Sequence, residues 1–363
     1  MSAPLRIGVL GASRIAKLAV VDAARETGDV LAAVAARDPE RAAAFAREHG
    51  VAGTRADYEE LIADDSLDLV YIGLPNGLHA EWTARALAAG RDVLVEKPFA
   101  ANLAEFERVE ARLGPSRGWA FEAFHYADHP AFARALELLG GPGLLSAPGE
   151  LGALRSVRVT MHMPAPKPSD PRWSFELAGG AMMDLGCYAL NALIRLGESA
   201  AFPDPVAPRV LRAAAVTATA AIPDGDPRVD AAVRAELALG DVPATIDVSM
   251  AAEAWDFGLE LACERGAIRI PNFVKPQEDD RLIVTLAGGP GGGDEPGGGE
   301  RVERVERTGG ESSYAHQLRR VREELRAGAR DRAELARSRR TAALIDEVYA
   351  AAGLPERPAR LMD

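Results

Sequence analysis

The stretch Leu5-Arg-Ile-Gly-Val-Leu10-Gly11-Ala-Ser13-Arg-Ile-Ala16 decides the fold. Residues 5–10 are apolar on both faces, as a strand buried inside a parallel sheet must be. Gly11 then opens a tight turn, and residues 13–26 carry a helical pattern that stops near Gly28. Set against G-x-G-x-x-G/A, Gly11 takes the first place and Ala16 the third, while Ser13 replaces the second glycine. Gly11 permits the turn, and Ala16 is small enough for the helix to pack on the strand. The N–H groups of Ser13, Arg14, Ile15 and Ala16 then face a pyrophosphate at the helix start. The same residues also read as a plain tight turn. A phosphate loop of the G-x-x-x-x-G-K-[ST] type is excluded, because the segment to Lys17 lacks the second glycine and the hydroxyl residue after the lysine.

Outward from this unit, strand and helix patterns alternate. Strands are expected at 30–36, 68–72, 92–95 and 119–121, and helices at 39–49, 57–63, 79–89 and 102–113. Such alternation implies a doubly wound parallel sheet with helices on both faces. After about residue 125 the pattern changes. Strand candidates at 154–162, 244–251, 259–263, 267–270 and 281–286 surround a helix at 179–196. The glycine-rich stretch 288–299 reads as a flexible loop to a return strand at 301–307, and helices follow at 313–328 and 333–352. The expected architecture is an α/β domain over residues 1–125 and an α+β domain over 126–363, built on an open, mostly antiparallel sheet. That sheet is expected to carry an apolar face too wide for its helices, and so to build a homodimer or homotetramer.

Composition narrows the function. The chain has 363 residues, 48% of them hydrophobic, which excludes wholesale disorder and suits two domains of about 150 residues each. Forty-two basic against fifty-four acidic residues leave a net charge of −12, which argues against nucleic-acid binding. No run of about 18 apolar residues or basic leader stands out, so neither a membrane span nor a signal peptide is expected. The two cysteines, Cys187 and Cys263, form no metal or disulfide motif and suit the reducing cytoplasm.

The second strand ends Val34-Ala-Ala-Arg37-Asp38. A carboxylate at this edge would hold a ribose 2′-hydroxyl, whereas an arginine accommodates a 2′-phosphate. Arg37 therefore favours NADP(H) over NAD(H), unless it merely pairs with Asp38 or Glu40 in solvent.

Val93-Leu-Val-Glu96-Lys97-Pro98 resembles the E-K-P motif of the Gfo/Idh/MocA oxidoreductases. Leu74-Pro-Asn76-Gly-Leu-His79 is similar to that family's loop after the fourth main strand. Gly179-Gly-Ala-Met-Met-Asp184-Leu-Gly-Cys-Tyr188 is similar to its G-G-x-x-x-D-x-G-x-H/Y motif, and 313–317 and 344–355 to its last helices. The resemblance covers nearly the whole chain and implies an N-terminal Rossmann domain and a C-terminal open-sheet domain. Tyr188, where many members have histidine, together with Glu122-Ala-Phe-His-Tyr126, resembles the branch of glucose–fructose oxidoreductase, NADP-dependent D-xylose dehydrogenase and dimeric dihydrodiol dehydrogenase. That branch's usual arginine is replaced by Ala127.

Lys97, at the carboxyl end of the fifth main strand, lines the ligand crevice, where its ammonium binds a substrate oxygen and lowers the pKa of a nearby acid. Glu96 counts with Lys97 among the cofactor-side residues. The bond before Pro98 is a candidate for the cis form. Asp184 and Tyr188 are four apart and share a helical face. Tyr188 is the expected acid/base and Asp184 a substrate-hydroxyl ligand, although a packing phenol and an ion-paired carboxylate are the plain alternatives. Asn76 and His79 are expected near the nicotinamide ribose, His79 also as a helix cap. Trp173 walls the sugar pocket or sits in the core. His125 and His129 do not make a metal site. The expected activity is NADP(H)-preferring hydride transfer to or from a sugar or polyol-like substrate. A nucleotide-sugar ketoreductase and a non-catalytic cofactor-binding regulator are the alternatives, and the absence of Tyr-x-x-x-Lys excludes a short-chain dehydrogenase.

Overall fold

Ile7, Val9 and Leu10 have no exposed surface, as a central parallel strand requires. The structure, a computed structural model, describes residues 3–113, 117–140, 151–202, 204–287 and 301–361. The first sheet is parallel throughout, in the order β2-β1-β3-β4-β5. Its strands are β1 (Arg6–Leu10), β2 (Val30–Ala35), β3 (Leu69–Ile72), β4 (Val93–Val95) and β5 (Ala120–Glu122). Its helices include α1 (Arg14–Ala16), α2 (Ala23–Thr27), α3 (Pro39–His49), α4 (Tyr58–Ile62), α5 (His79–Ala88) and α6 (Leu103–Leu113).

Three details differ from the sequence reading. The strand carrying Lys97 is the fourth in the chain and not the fifth. The segment between β2 and β3 lies along the sheet edge but forms only an isolated bridge, Val34 to Thr54. The helix expected over 13–26 is also interrupted, by a π turn at Lys17–Asp22. This turn holds the adjoining β-branched pair Val20-Val21, which crowds a regular helix. Gly28, in the left-handed region at φ 77°, ends α2 as expected.

The second sheet has eight strands in the order β13-β12-β11-β10-β6-β9-β8-β7, antiparallel except for the parallel β6–β9 pair. The strands are β6 (Leu154–His162), β7 (Pro208–Thr217), β8 (Asp230–Leu239), β9 (Val242–Ser249), β10 (Leu259–Cys263), β11 (Gly266–Ile270), β12 (Arg281–Leu286) and β13 (Val302–Arg307). β7 and β8 escape sequence reading because they are alanine-rich, and alanine's local preference is helical. The expected loop over 288–299 lies outside the described residues.

After α7 (Pro130–Leu138), one face of this sheet packs on α8 (Cys187–Gly197), whose residues are nearly all buried. The segment Phe175–Gly197 is long and apolar enough by composition to cross a membrane, contrary to the expectation of no such segment, but it is 94% buried as a core helix. The other face is not the expected apolar surface. Alternation places Arg158, Glu260 and Arg269 there, along with Arg234, Glu236 and Asp247. Exposed apolar side chains fall on the edge strands, namely Leu211 and Val216 on β7 and Val302 and Val305 on β13. A face-to-face oligomer therefore loses its apolar premise.

The last helices join the two cores. Tyr314, Leu318 and Val321 of α9 (Ser313–Ala327) pack into the first core, and Leu344, Ile345, Val348 and Tyr349 of α10 (Arg332–Ala351) into the second. The tail completes the link. Asn102 donates to the Arg357 carbonyl at 2.7 Å, while the fully buried Arg357 guanidinium donates to Gly179 O at 2.7 Å and Asp230 at 2.5 Å.

Candidate active site

The turn after β1 is built for close approach. Gly11 sits at φ 107°, and a Cβ there would lie 2.8 Å from Gly73 O, so only glycine fits. Ser13 caps the helix start, its hydroxyl accepting from Ala16 N at 3.3 Å. Arg14 is exposed beside this start, and its guanidinium reaches Asp170 of the second domain at 3.5 Å.

Arg37 is exposed at the end of β2. Asp38, its alternative partner, instead caps α3, accepting from Glu40 N at 3.0 Å. Arg41, one turn further on, donates from Nε to Ala12 O at 3.0 Å and so lies against the same turn. Sequence reading missed it. Arg37 lies in the bend before α3 and Arg41 on the helix, so no helical spacing joins them, although both cations act on Tyr58.

Lys97 closes β4, and the Lys97–Pro98 peptide is cis. Its Nζ donates to the Asp184 main-chain oxygen at 2.7 Å and to Asp184 Oδ1 at 3.0 Å. The other carboxylate oxygen accepts from Arg172 Nε at 2.5 Å, and Arg172 also reaches Asp170. Arg172 was not foreseen, because the loop over 163–178 has no periodicity to place it. Burial raises the pKa of Asp184, but Arg172 and Lys97 outweigh it and hold the carboxyl well below its usual range. Burial lowers the pKa of Lys97, but Asp184, with smaller contributions from its other neighbours, raises it above its ordinary value and keeps the ammonium charged. Asp184 is thus an ion-paired carboxylate between two cations.

Tyr188 does not meet Lys97 as expected. Lys97 Nζ stands 4.9 Å from the centroid of the Tyr188 ring, over its face. The phenol oxygen lies 3.1 Å from His125 Nε2 instead. Burial therefore dominates, and the phenol pKa is raised well above its ordinary value, not lowered. The reason is local geometry. Met182–Gly186 is a π turn, so Asp184 and Tyr188 are not successive positions on one α-helical stripe.

His79 and Glu96 lie one layer beneath. His79 is buried, with Nδ1 2.8 Å from Pro98 O and Nε2 2.8 Å from Leu74 O, and burial pushes its pKa down to about 4. Glu96 accepts from Tyr71 Oη at 2.9 Å. Through these contacts both brace the turns that carry the site. Asn76 donates to Ala178 O at 3.0 Å and ties its loop to the second domain. Trp173 is a core residue whose Nε1 donates to Pro166 O at 3.3 Å. His129 Nδ1 accepts from Ala131 N at 3.1 Å, so His125 and His129 serve different partners. Among the described residues, no three metal-ligating side chains converge. A cation near the junction is present although position 127 is alanine, because Arg320 of α9 donates to Asp128 at 2.7 Å.

The residues fit a dinucleotide. Gly11 makes the close approach, Ser13 and Arg14 stand at a helix start, Arg37 follows β2, and Arg41 of α3 lies against the Gly11 turn. A glycine turn after β1 of a doubly wound sheet, joined to a second domain that brings Asp184 to Lys97 and sets the Tyr188 ring face beside it, is the arrangement of a two-domain dinucleotide-binding protein. Residues 5–114 match the oxidoreductase family with an NAD-binding Rossmann fold, and residues 145–269 match the GFO/IDH/MocA C-terminal domain. The chain is 30% identical over 290 residues to an uncharacterized oxidoreductase of Rhizobium meliloti, covering 78% of this chain and 80% of that one. It belongs to the GFO/IDH/MocA family.

It is also 41% identical over 189 residues to the NADP-dependent D-xylose 1-dehydrogenase 2 of Haloferax volcanii, covering 52% of this chain. To a dTDP-3,4-didehydro-2,6-dideoxy-alpha-D-glucose 3-reductase of Streptomyces violaceoruber it is 36% identical over 197 residues, 53% of this chain. The chain spans about half the length of these two relatives, 56% and 55%. A 3-ketoreductase from Actinomadura kijaniata, solved with NADP and TDP-benzene, shares the fold with a TM-score of 0.82 at 24% identity, covering 96% of this chain and 98% of that one. A levoglucosan dehydrogenase solved with NADH and levoglucosan does so at 0.80 and 20% identity, covering 97% and 98%.

Proposed function

We propose that this chain is an NADP(H)-preferring oxidoreductase that moves a hydride to or from a sugar or polyol-like substrate. The observation that carries this reading is the buried meeting of Lys97, Asp184 and Tyr188 at the carboxyl edge of the first sheet, across from the Gly11 turn. A bound nicotinamide supplies the hydride donor or acceptor. Gly11, Ser13 and Arg14 hold the pyrophosphate side, and Arg37 with Arg41 holds a 2′-phosphate. Lys97, kept charged by Asp184, polarises the reacting oxygen of the substrate, and Tyr188 gives or takes the proton at that oxygen. Arg172 keeps Asp184 ionised and therefore keeps Lys97 in place.

A second reading, a nucleotide-sugar ketoreductase, is favoured by the names of several relatives and by the TDP-benzene complex of a structural neighbour. In that reading the working substrate is a carbonyl. A non-catalytic regulator is disfavoured by the complete Lys97, Asp184 and Tyr188 set. Two free cysteines suit a cytoplasmic setting. The deciding experiment is a panel of aldoses, polyols and ketosugars followed by NADPH absorbance. Turnover of free sugars supports the first reading and turnover of only dTDP-ketosugars the second. Cofactor binding without turnover of any of them supports the regulator.

A further inference from the structure

Behind Tyr188 runs a buried hydrogen-bonded chain. His125, just after β5, is 1% exposed, with Nε2 3.1 Å from Tyr188 Oη and Nδ1 2.8 Å from Ser313 Oγ. Ser313, itself fully buried at the start of α9, donates its hydroxyl proton to Gln277 Oε1 at 3.1 Å, and its N–H reaches the same oxygen at 3.3 Å. Tyr314 stacks on the imidazole, centroids 3.7 Å apart.

These contacts fix the protons by elimination. An amide oxygen only accepts, so the Ser313 proton is committed to Gln277. The Ser313 oxygen then accepts from His125, which places the imidazole proton on Nδ1. Nε2 is left as a bare lone pair facing the phenol. The Tyr188 proton points to His125, and the Tyr188 oxygen is left as an acceptor on its other side.

We propose that His125 is the proton acceptor behind Tyr188, a relay and positioning residue whose tautomer is set by Ser313 and Gln277. The proposal rests on the reading of Tyr188 as the acid/base. In the oxidative direction the substrate C–H pair leaves as hydride to the oxidised nicotinamide. The substrate O–H proton passes to Tyr188 Oη while the phenol proton passes to His125 Nε2. The phenol ends neutral and the imidazole becomes imidazolium. With an oxidised nicotinamide bound as hydride acceptor, the charge gained by His125 would offset the charge lost there, and the site would create no net charge. Reduction runs the same transfers backwards.

The groups around the ring set its resting state. Lys97 at the end of β4, Lys275 from the loop after β11 and His129 oppose an imidazolium, and together with burial they keep His125 neutral at rest. The carboxylates around the relay act on its neighbours instead, Glu96 and Asp184 on Tyr188 and Glu96 and Glu278 on Tyr314. Tyr188 and Tyr314 flank the ring as neutral phenols, their pKa values raised by burial.

The first test is nitrogen-15 NMR of the histidine ring in the intact protein without substrate. The Nδ1–H tautomer is expected for His125, with its loss or weakening in Ser313→Ala. An Nε2–H tautomer in the unmodified protein overturns the proposal whatever the substrate proves to be. The second test is kinetic, with D-xylose and NADP as the probe. His125→Gln keeps an acceptor for the phenol but cannot take a proton. Its kcat should fall by about 10–100-fold with KM little changed, and its pH profile should lose the relay's limb. If Tyr188→Phe abolishes turnover while His125→Gln keeps the normal kcat and profile, the relay fails alone. If Tyr188→Phe itself keeps turnover, the parent reading fails first. Where D-xylose is not turned over, the tautomer decides.

Discussion

Lys97 Nζ holds both the main-chain oxygen and the carboxylate of Asp184, at 2.7 Å and 3.0 Å. One ammonium thereby fastens the end of β4 to the turn that leads into α8, and so joins the two domains where the candidate chemistry lies. Removing the carboxylate leaves the nearly buried Lys97 ammonium without its partner, while the half-buried Arg172 keeps only Asp170. Asp184→Ala should cost about 3–5 kcal/mol, as breaking a buried ion pair does. Denaturant unfolding measures it, and a cost below 1 kcal/mol would contradict the pairing.

Lys97 and Tyr188 should act as a unit. Lys97→Met or Tyr188→Phe should each lower turnover by roughly 10²–10⁴-fold with little change in cofactor affinity, since neither holds the phosphates. The double variant should be little worse than the poorer single one, because groups acting together are not additive. Multiplying losses would show that the two act independently.

Cofactor choice should rest on the end of β2. The unmodified protein should bind NADPH at least several-fold more tightly than NADH. Arg37→Ala should remove most of that difference, about 1.5–3 kcal/mol for a charged contact, and Arg41→Ala a further part. Fluorescence titration decides the matter, and equal affinities in the unmodified protein would sink the claim.

Glu122 gives a pH signature. Its Oε1 accepts from Phe99 N at 2.8 Å, and burial pushes its pKa from 4.5 up to about 7. A raised carboxyl stabilises the folded state fully below its unfolded pKa and loses that contribution as pH rises through the folded value. The protein should therefore lose on the order of 1–3 kcal/mol from this group between about pH 4.5 and 7. Glu122→Gln should flatten that slope. An unchanged slope in thermal unfolding curves would refute the assignment.

The tail should be as stabilising as a core element. Arg357 and Asp230 are fully buried partners at 2.5 Å, and Asp230 also accepts from Met182 N at 2.7 Å, bracing the turn that leads to Asp184. Arg357→Met should leave Asp230 uncompensated and cost about 3–5 kcal/mol by denaturant unfolding. A neutral result would mean the buried pair contributes nothing net.

The parallel sheet was legible because its signals are local. Apolar runs of four to six residues, Gly11 at a turn that excludes any Cβ, and Glu96-Lys97-Pro98 at a strand end each speak within a few residues. The same holds for Asp184 and Tyr188 as candidates. Their partners were not legible. Arg172 comes from an irregular loop, and His125, Gln277 and Ser313 meet from segments up to 188 residues apart, so no spacing rule joins them. The expected lowering of the Tyr188 pKa failed because it took proximity to Lys97 from sequence and left out burial. Residue type and local period thus determined which groups could do chemistry and on which strands and helices they ride. Packing alone decided which of them touch, because desolvation and hydrogen-bond partners belong to the folded surroundings and not to the chain.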